Sequence, residues 1–411
     1  MHVFRFSTGS SYYLYAARAL TGPELNLEKN ILLTIENGLI TGLKPVSLEN
    51  LPLETGTGSQ IIKLDRDLTL IPSLIDAHVH LALDGVNFMD SLARWDYAEA
   101  MQARIKKELQ AAAGAGIGAV RDGGDCRRIN LAIRDNLGDT GPEGASNPLV
   151  ISTGEAIRRV NGYGSFLGRG YRKAEEIPAF IEALHSAGVD QVKLIVSGLV
   201  NFHEYGRVDG KLPAPEELET VVSHARRRGL KVMAHASSDA AVKMAVRAGV
   251  DSIEHGYYVQ GDTLQLMAEN RVAWVPTLAP VAARVVGGLN IAGSIRGNGL
   301  LERICQEHIN KLRFALCSGV LLGMGSDAGA LGVRHGTGLL AEMQMYARGA
   351  LSNRSIIKAA THTNAQILGL DHKMGAIKCG LKPELIAVRG DPLDDLAALK
   401  RIKTRFSLCS S

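Results

Sequence analysis

The sequence predicts an α/β fold in which parallel strands and helices alternate to form a (β/α)8 TIM barrel. The chain has 411 residues, of which 46% are hydrophobic, so it can bury a large core. The run LTLIPSLIDAHVHLAL is almost continuously apolar, as in a strand buried on both faces. Strand-like and helical runs alternate after it, which implies parallel strands with right-handed crossovers. A doubly wound open sheet is the alternative, but no G-x-G-x-x-G motif follows the first strand.

The segments on either side of the barrel have a different texture. Short apolar runs there are broken by Gly, Asn and Pro, and ILLTIENGLITGL is typical of two strands joined at the turn Asn37-Gly38. The C-terminal run GAIKCGLKPELIAVRGDP returns to the same pattern. We therefore predict a small β-sandwich domain from residues 1–67 and 370–411, and the barrel from residues 68–369.

Eight strand-like runs follow one another, separated by helical runs. The predicted strands are LTLIPSLIDAHVHLAL, IGAVRDGG, PLVISTG, VDQVKLIVSG, KVMAHAS, DSIEHG, VAWVPTL and VLLGMGSDAG. The helical runs are ARWDYAEAMQARIKKELQAAAGAG, AEEIPAFIEALHSAG, PEELETVVSHARRRG, DAAVKMAVRAG, GDTLQLMAEN, a stretch that ends at 315–317, and SNRSIIKAATHTNAQILG. Eight strands are the number that closes this type of barrel.

Composition favours a cytoplasmic protein that acts on a small molecule. The formal net charge is only +4, the basic residues are scattered and aromatic residues make up 5%, so nothing indicates a nucleic-acid or membrane partner. The five cysteines form no CxxC pair, which favours reduced thiols. The N-terminus lacks the pattern of a signal peptide, and no 18-residue apolar run predicts a membrane span. The sequence leaves the oligomeric state open, a homo-oligomer included.

His78 and His80 stand two apart at the end of the first barrel strand. The two-residue period of a strand places both side chains on one face, which in a barrel points inward. Two converging imidazoles are suited to binding a metal ion, whereas the alternative is a pair of polar residues that close the strand.

Later strands end in further groups that can bind a metal. His235 closes KVMAH, His255 closes DSIEH, Asp327 closes VLLGMGSD, and Lys193 lies among apolar neighbours in VDQVKLIVSG. Active sites of such barrels are built from several strands at their C-terminal ends. A single histidine there is often structural, but ligand-type residues on so many strands are hard to explain by packing.

Lys193 needs a physical account of its own. An ammonium that faces a metal ion in an apolar barrel is repelled and costly to desolvate, and both effects lower its pKa. A neutral amine can add carbon dioxide and become a carbamate, whose two oxygens can bridge two cations. The alternative is a lysine whose amine reaches the end of the strand or pairs with an acid.

These motifs together resemble the amidohydrolase superfamily, and within it the branch of imidazolonepropionase-like proteins and Xaa-Pro dipeptidases. The matching segments span almost the whole chain: LIPSLIDAHVHL, VRDGGD, VDQVKLIVSG, VMAHAS, SIEHG, GSDAG and AATHTNAQILGL…MGAIKCGLKPELIAVRGDPLDD. Two positions depart from the pattern. Ser73 replaces a usual glycine, and 382–384 replace a small residue and aspartate in the final β segment; neither alters a predicted ligand.

The resemblance implies a centre of two divalent metal ions. His78 and His80 would bind one ion with Asp327, His235 and His255 would bind the other, and a carbamate on Lys193 would bridge them. Zinc is the metal implied, with manganese, iron and cobalt as alternatives. A hydroxide shared by the ions would attack a carbon–nitrogen amide bond. Asp327 would act as general base and then as general acid.

The substrate is predicted less sharply. Arg158 and Arg159, in a Gly- and Arg-rich loop after the third strand, are candidate partners of a substrate carboxylate, although a solvated basic loop explains them equally. Tyr163 and Tyr257 are candidate phenolic donors, with packing as the alternative. His203 is expected to be a loop residue. This pattern favours a dipeptide such as Xaa-Pro, or an N-acyl amino acid.

Two other classes remain as alternatives. A lactonase, a cyclic-imidate hydrolase or a deaminase could use the same fold, and Lys193 speaks against those types that need only one metal ion. A catalytically silent barrel that serves as a scaffold is the other, but such proteins usually lose ligands, and this chain keeps the full set.

Overall fold

The two ends of the chain meet in one mixed β-sheet. The computed structural model describes residues 1–51, 59–136, 147–287 and 299–409. The strands of this sheet, numbered along the chain, are β1 His2–Phe6, β2 Ser11–Thr21, β3 Asn26–Glu36, β4 Leu39–Pro45, β5 Ser59–Lys63, β6 Leu68–Pro72, β14 Leu385–Arg389 and β15 Ile402–Leu408. They pair in the order β1-β15-β14-β6-β2-β3-β4, and β5 pairs with β2. We call these eight strands the terminal sheet.

Local sequence explains two features of the terminal sheet. The predicted turn at Asn37-Gly38 joins β3 to β4, and both residues have positive φ angles, 51° and 75°, as a tight hairpin turn requires. Phe6 is fully buried, and its ring centroid lies 5.0 Å from that of Tyr12 and 5.8 Å from that of Phe406. The aromatic rings therefore form an apolar core between the first and last strands of the chain.

The run predicted as one long first barrel strand is two strands. β6 pairs antiparallel with β14 in the terminal sheet, whereas β7, Leu74–Val79, pairs in parallel with β8, Ile117–Asp122. Between them, the Ser73 N–H donates to the Glu384 carbonyl and the Leu74 N–H donates to the Gly116 carbonyl. The chain thus changes sheets at Ser73, which the uninterrupted apolar pattern could not indicate.

Seven of the eight predicted strands lie in two parallel sheets. The first sheet contains β7, β8 and β9, and the second contains β10 to β13. The remaining bounds are β9 Leu149–Ser152, β10 Gln191–Ile195, β11 Lys231–Ala236, β12 Ser252–His255 and β13 Ala273–Val275. Single parallel bridges join Ile157 to Leu194, Trp274 to Leu322 and Val79 to Ala328. The segment predicted as the eighth strand is held by the last two of these bridges.

Helices follow most of the parallel strands. Their bounds are α1 Phe88–Ala93, α2 Ala98–Gly114, α3 Ile129–Asn136, α4 Ile177–Ser186, α5 Pro215–Arg227, α6 Asp239–Ala248, α7 Gly261–Glu269, α8 Ala279–Gly287, α9 Leu300–Cys317, α10 Thr337–Arg348, α11 Asn353–Lys358 and α12 Asn364–Leu368. Helices α3 and α10 lie outside the predicted helical runs, as does α1 except for Ala93. None of the helices in the described ranges is long and apolar enough to cross a bilayer.

Helix α6 shows how these elements are specified. The Ser238 hydroxyl caps its first turn by accepting from the Ala241 N–H, and Gly249 ends it at a φ of 84°. Its buried residues include Val242 and Val246, four positions apart on one face. Such helices fix parallel strands in register, and the C-terminal ends of those strands carry the predicted site residues.

Candidate metal centre

The first part of the candidate centre is a pair of histidines at the end of β7. His78 lies within the strand, His80 follows it, and both side chains are buried. Because alternate residues of a strand point the same way, both imidazoles face one side. Their ring centroids are 5.3 Å apart. The two nitrogen ligands of one cation could come from this pair.

Asp327 brings a carboxylate to these imidazoles. Its N–H donates to the His78 carbonyl at 2.8 Å, which ties residue 327 to the end of β7. Its Oδ1 lies 3.7 Å from His78 Nε2 and 3.6 Å from His80 Nε2. One ligand atom from each of the three residues lies within 4.8 Å of the other two. Asp327 also has a φ of 54°, an unfavourable backbone conformation that the surrounding structure maintains.

Lys193 approaches the same point from β10. Its Nζ lies 3.5 Å from His78 Nε2, and the residue is only 1% exposed. Burial lowers the pKa of this amine, because the charged form loses its hydration. The lowered pKa, about 8, increases the fraction of neutral amine, the form that can react with carbon dioxide.

His235 and His255 complete the cluster. His235 lies in β11, His255 ends β12, and their ring centroids are 4.5 Å apart. The ring of His255 is also 5.1 Å from that of His78. His255 has a φ of 70°, so a second candidate ligand sits at a strained position. The structure thus brings all six predicted ligands into one group at the ends of the strands.

Neighbouring groups fix the orientation of the second histidine pair. His255 Nδ1 lies 2.6 Å from the Thr277 hydroxyl, and His235 Nε2 lies 3.1 Å from the Gly198 carbonyl. A hydrogen bond to one ring nitrogen leaves the other nitrogen to bind a cation, which is how metal-binding histidines are usually held. The expected ligand atoms are therefore Nε2 of His255 and Nδ1 of His235.

A buried ion pair orients His78. Glu254 Oε2 lies 2.7 Å from His78 Nδ1, and Glu254 Oε1 accepts from Arg121 Nη2 at 2.8 Å. Arg121 also donates to the Ala77 carbonyl and to the Ser252 hydroxyl, at 2.7 and 3.1 Å. Neither Arg121 nor Glu254 was predicted as a site residue. Each is a charged residue inside a predicted strand, Arg121 in IGAVRDGG and Glu254 in DSIEHG, and that position could have indicated a functional role.

Burial keeps the four imidazoles neutral. It lowers the pKa of His80 and of His235 to about 3, and it holds the pKa values of His78 and His255 well below the usual range. Loss of hydration is the largest cause in each case. A neutral imidazole presents a lone pair, so the protonation state suits metal binding.

The donor set fits divalent cations. Ligand atoms about 2.1 Å from a tetrahedral zinc ion lie about 3.4 Å from one another. The two distances from Asp327 Oδ1 to the histidine nitrogens, 3.6 and 3.7 Å, are close to that value and too long for good hydrogen bonds. Imidazole and carboxylate are ligands that zinc, manganese, iron and cobalt all accept.

The two predicted carboxylate-binding arginines make contacts elsewhere. Arg158 is buried and donates to the carbonyls of four residues of its own loop: Gly162, Tyr163, Gly168 and Arg169. Arg159 is exposed, and its Nε lies 3.4 Å from a Glu217 carboxylate oxygen. These contacts hold the loop together, and neither guanidinium touches a candidate ligand among the contacts of the described residues.

The two predicted tyrosines do lie beside the cluster. The ring of Tyr163 is 5.1 Å from that of His235, and the ring of Tyr257 stacks parallel to His255 at 6.1 Å. The Tyr257 hydroxyl donates to the Thr277 carbonyl at 3.2 Å. Burial raises the pKa of both phenols, so both keep their protons. His203, expected to be a loop residue, is exposed in the loop after β10.

Similar proteins are known. Ochratoxinase from Aspergillus niger is 25% identical over 372 residues, which cover 81% of this chain and 73% of that protein. The solved structure of a Xaa-Pro dipeptidase with bound methionine in its active site has a TM-score of 0.79 and 23% identity, over 97% of this chain and 98% of that one. The crystal structure of A. niger ochratoxinase gives 0.78 and 20%, over 97% and 94%.

The family assignment rests on a match that spans most of the chain. Residues 69–407 match the model of the amidohydrolase family, a range that includes both parallel sheets and all six candidate ligands. This match confirms the resemblance that the sequence motifs indicated. The chain belongs to the amidohydrolase family.

Proposed function

We propose that this protein is a metal-dependent hydrolase that cleaves a carbon–nitrogen amide bond in a small substrate bearing a carboxylate, such as a Xaa-Pro dipeptide or an N-acyl amino acid. One observation carries the proposal: six buried or nearly buried ligand-type side chains converge where the parallel strands end, and Asp327 Oδ1 lies within 3.7 Å of two imidazole nitrogens. Among the relatives, a Xaa-Pro dipeptidase has the same fold.

The fold that accompanies this function is a (β/α)8 barrel that begins at residue 73 and not at the predicted residue 68, because residues 68–72 form β6 of the terminal sheet. The barrel extends to residue 369, and a β-sandwich domain of residues 1–72 and 370–411 completes the chain. Seven parallel strands support the barrel, as do the single bridges that flank the segment 320–328. Pairing of β1 with β15 supports a unit shared by the two ends of the chain.

The proposed centre holds two cations. His78, His80 and Asp327 would bind one cation, and His235 and His255 would bind the other. A carbamate on Lys193 would bind both cations. Nζ of Lys193, as the neutral amine, forms a bond to the carbon of carbon dioxide and releases one proton, which leaves two carbamate oxygens. When bound, divalent cations supply a water whose pKa is lowered to about 7, and they polarise the substrate carbonyl.

The chain's own residues then handle the proton and the substrate. Asp327 accepts the proton from the attacking water and delivers it to the leaving nitrogen, because its carboxylate faces the centre and its backbone is fixed to His78. The phenols of Tyr163 and Tyr257 remain protonated beside the cluster and can donate to the substrate. Glu254 keeps the His78 ring in place.

Metal content together with activity tests this proposal. Purified protein loaded with zinc should contain two ions per chain and should release amino acids from some Xaa-Pro dipeptides or N-acyl amino acids. A chelator should abolish this release, and zinc, cobalt or manganese should restore it. One ion per fully active chain would favour the one-metal alternatives, and hydrolysis that survives complete metal removal would contradict the proposal.

A further inference from the structure

Arg284 lies on a helix that begins beside the candidate centre. The helix α8 starts at Ala279, two residues after Thr277, whose hydroxyl contacts His255 at 2.6 Å. The Tyr257 hydroxyl also donates to the Thr277 carbonyl. Arg284 follows in the second turn of α8 and is only partly buried. The start of this helix is therefore fixed to one of the candidate metal ligands.

The guanidinium of Arg284 reaches a second loop of the site. Its Cζ lies 4.9 Å from the centroid of the Phe202 ring, which belongs to the loop after β10, the strand of Lys193. Stacking on an aromatic face orients a guanidinium while leaving its edge free to donate hydrogen bonds. Arg284 thus links the helix that follows β13 to the loop that follows β10.

The hydrogen-bonding capacity of Arg284 is largely unused. Nη1 donates to the Pro280 carbonyl at 3.1 Å, whereas Nε is buried without a partner. No carboxylate lies within ion-pair distance of this guanidinium in the ranges that the structure describes. Leaving a buried donor of a charged group unpaired costs free energy. An anion that accepted a hydrogen bond from Arg284 Nε would remove this cost.

Three other arginines, Arg121, Arg158 and Arg303, have hydrogen-bond or ion-pair partners for their Nε atoms. Arg158 is bonded to carbonyls of its own loop, and Arg121 is paired with Glu254. Arg303 also stacks on an aromatic ring, that of Tyr205 at 3.7 Å, but its Nε is paired with Glu307 at 2.8 Å. Among these four arginines, Arg284 is the one whose buried Nε has no partner within the described ranges.

The positive charge of Arg284 also acts on groups of the candidate centre. Its positive charge acts to lower the pKa values of Asp327, Tyr163 and Tyr257, against the larger effect of burial in each case.

We infer that Arg284 binds the carboxylate of the substrate, the role that the sequence assigned to Arg158 or Arg159. This inference rests on the proposed function, since it names the group that recognises the substrate of that same site. A guanidinium donates two parallel hydrogen bonds to a carboxylate, and Nε with Nη2 offers such an edge. The expected ligands are N-acyl amino acids or dipeptides with a free C-terminal carboxylate.

The test compares a carboxylate with its neutral analogue. N-acetyl-L-phenylalanine and N-acetyl-L-phenylalaninamide are offered to the zinc-loaded wild type and to Arg284→Met, with acetate release as the kinetic readout and calorimetric binding as the second. The wild type should prefer the carboxylate by about 10- to 100-fold in kcat/KM or affinity, and Arg284→Met should lose that preference. Arg284→Lys should restore part of it.

Arg303→Met is the matched control, because it removes a stacked arginine that already has a carboxylate partner. It should keep the wild-type preference. Retention of the preference by Arg284→Met, or its absence from the wild type, would overturn the role of Arg284 even if amides are hydrolysed. If no amide is hydrolysed but carboxylate binding still depends on Arg284, the proposed function fails and this inference stands.

Discussion

The molecule contains two buried clusters of rings, one in the core of the terminal sheet and one in the candidate metal centre. In the terminal sheet, the Phe6 ring lies 5.0 Å from Tyr12 and 5.8 Å from Phe406. In the candidate centre, the His235 and His255 rings lie 4.5 Å apart. The spacing of the rings is similar in the two clusters. Burial of the apolar first cluster stabilises the folded state, whereas burial of the second cluster lowers the pKa of its imidazoles and so opposes their protonation.

The difference separates stability from function. Buried aromatic rings in the terminal sheet are explained by packing alone. Four imidazoles, a lysine and a carboxylate buried together lower stability unless something binds them, and two of these groups also have unfavourable φ angles. Mutations in the terminal sheet should therefore change folding, and mutations in the centre should change metal binding and turnover.

The largest effect is expected for Phe6→Ala. Removing a fully buried ring should lower the free energy of unfolding by about 3–5 kcal/mol, measured by denaturant titration. The zinc content of the folded protein should not change. Phe314→Ala, at an exposed position, is the control and should cost about 0.5 kcal/mol or less. Loss of zinc from folded Phe6→Ala would break the separation between the two clusters.

Asp327→Asn, unlike Phe6→Ala, should reduce turnover rather than stability. It keeps the size of the side chain but cannot accept the proton, so we expect kcat to fall at least about 100-fold, or about 2.7 kcal/mol, with metal retained. Steady-state kinetics and metal analysis of one sample measure both. Asp371→Asn, exposed near the C-terminus, is the control. Full activity in metal-loaded Asp327→Asn would remove the proposed role.

Glu254→Gln tests the orientation of His78. Weakening the hydrogen bond to Nδ1 should reduce zinc affinity about 10- to 100-fold, measured by competition with a chelator. Glu155→Gln is matched, because Glu155 is another buried carboxylate held by arginines, Arg128 and Arg169, away from the cluster. Equal zinc affinities in both variants would show that Glu254 only stabilises the fold.

The last prediction concerns the pH dependence of stability, to which the buried carboxyl of Glu342 contributes. Burial raises the pKa of this carboxyl from its ordinary 4.5 to about 8, although the N–H groups of Leu278 and Ala279 donate to it. Because the folded state binds this proton more tightly, its contribution to stability is full below pH 4.5 and is lost as pH rises towards 8.

Glu342→Gln should therefore gain stability relative to the wild type as the pH rises from 5 to 8, because only the wild type has a buried carboxyl that must ionise in the folded state. Urea unfolding at both pH values measures this difference. A constant difference between the two proteins would show that Glu342 is ionised throughout this range.

The sequence pattern predicted the positions of most strands and of the ligand-type residues at their ends. Hydrophobic runs located seven parallel strands, and the residues near their ends included His78, His235 and His255, because strand ends converge at one edge. The eighth strand was less well predicted, since its segment is held by single bridges. The change of sheet at Ser73 was missed, because a run that is apolar throughout contains no mark of where its pairing partner changes.

Contacts between distant segments were out of reach. Glu254 touches His78 across 176 positions of the chain, and Arg284 meets Phe202 from another loop. Arg158 and Arg159 were predicted as carboxylate partners because their loop is rich in arginine and glycine, and Arg284 was not considered. Only the fold shows that Arg158 is used by its own loop while Arg284 retains an unpartnered Nε.

The most direct test of the account is diffraction from crystals of the zinc-loaded protein at the zinc absorption edge. We predict two anomalous peaks, one beside His78, His80 and Asp327 and one beside His235 and His255, with density for a carbamate on the Lys193 amine between them. A map with no zinc peak at these residues, or with Lys193 turned away from them, would contradict the proposed centre.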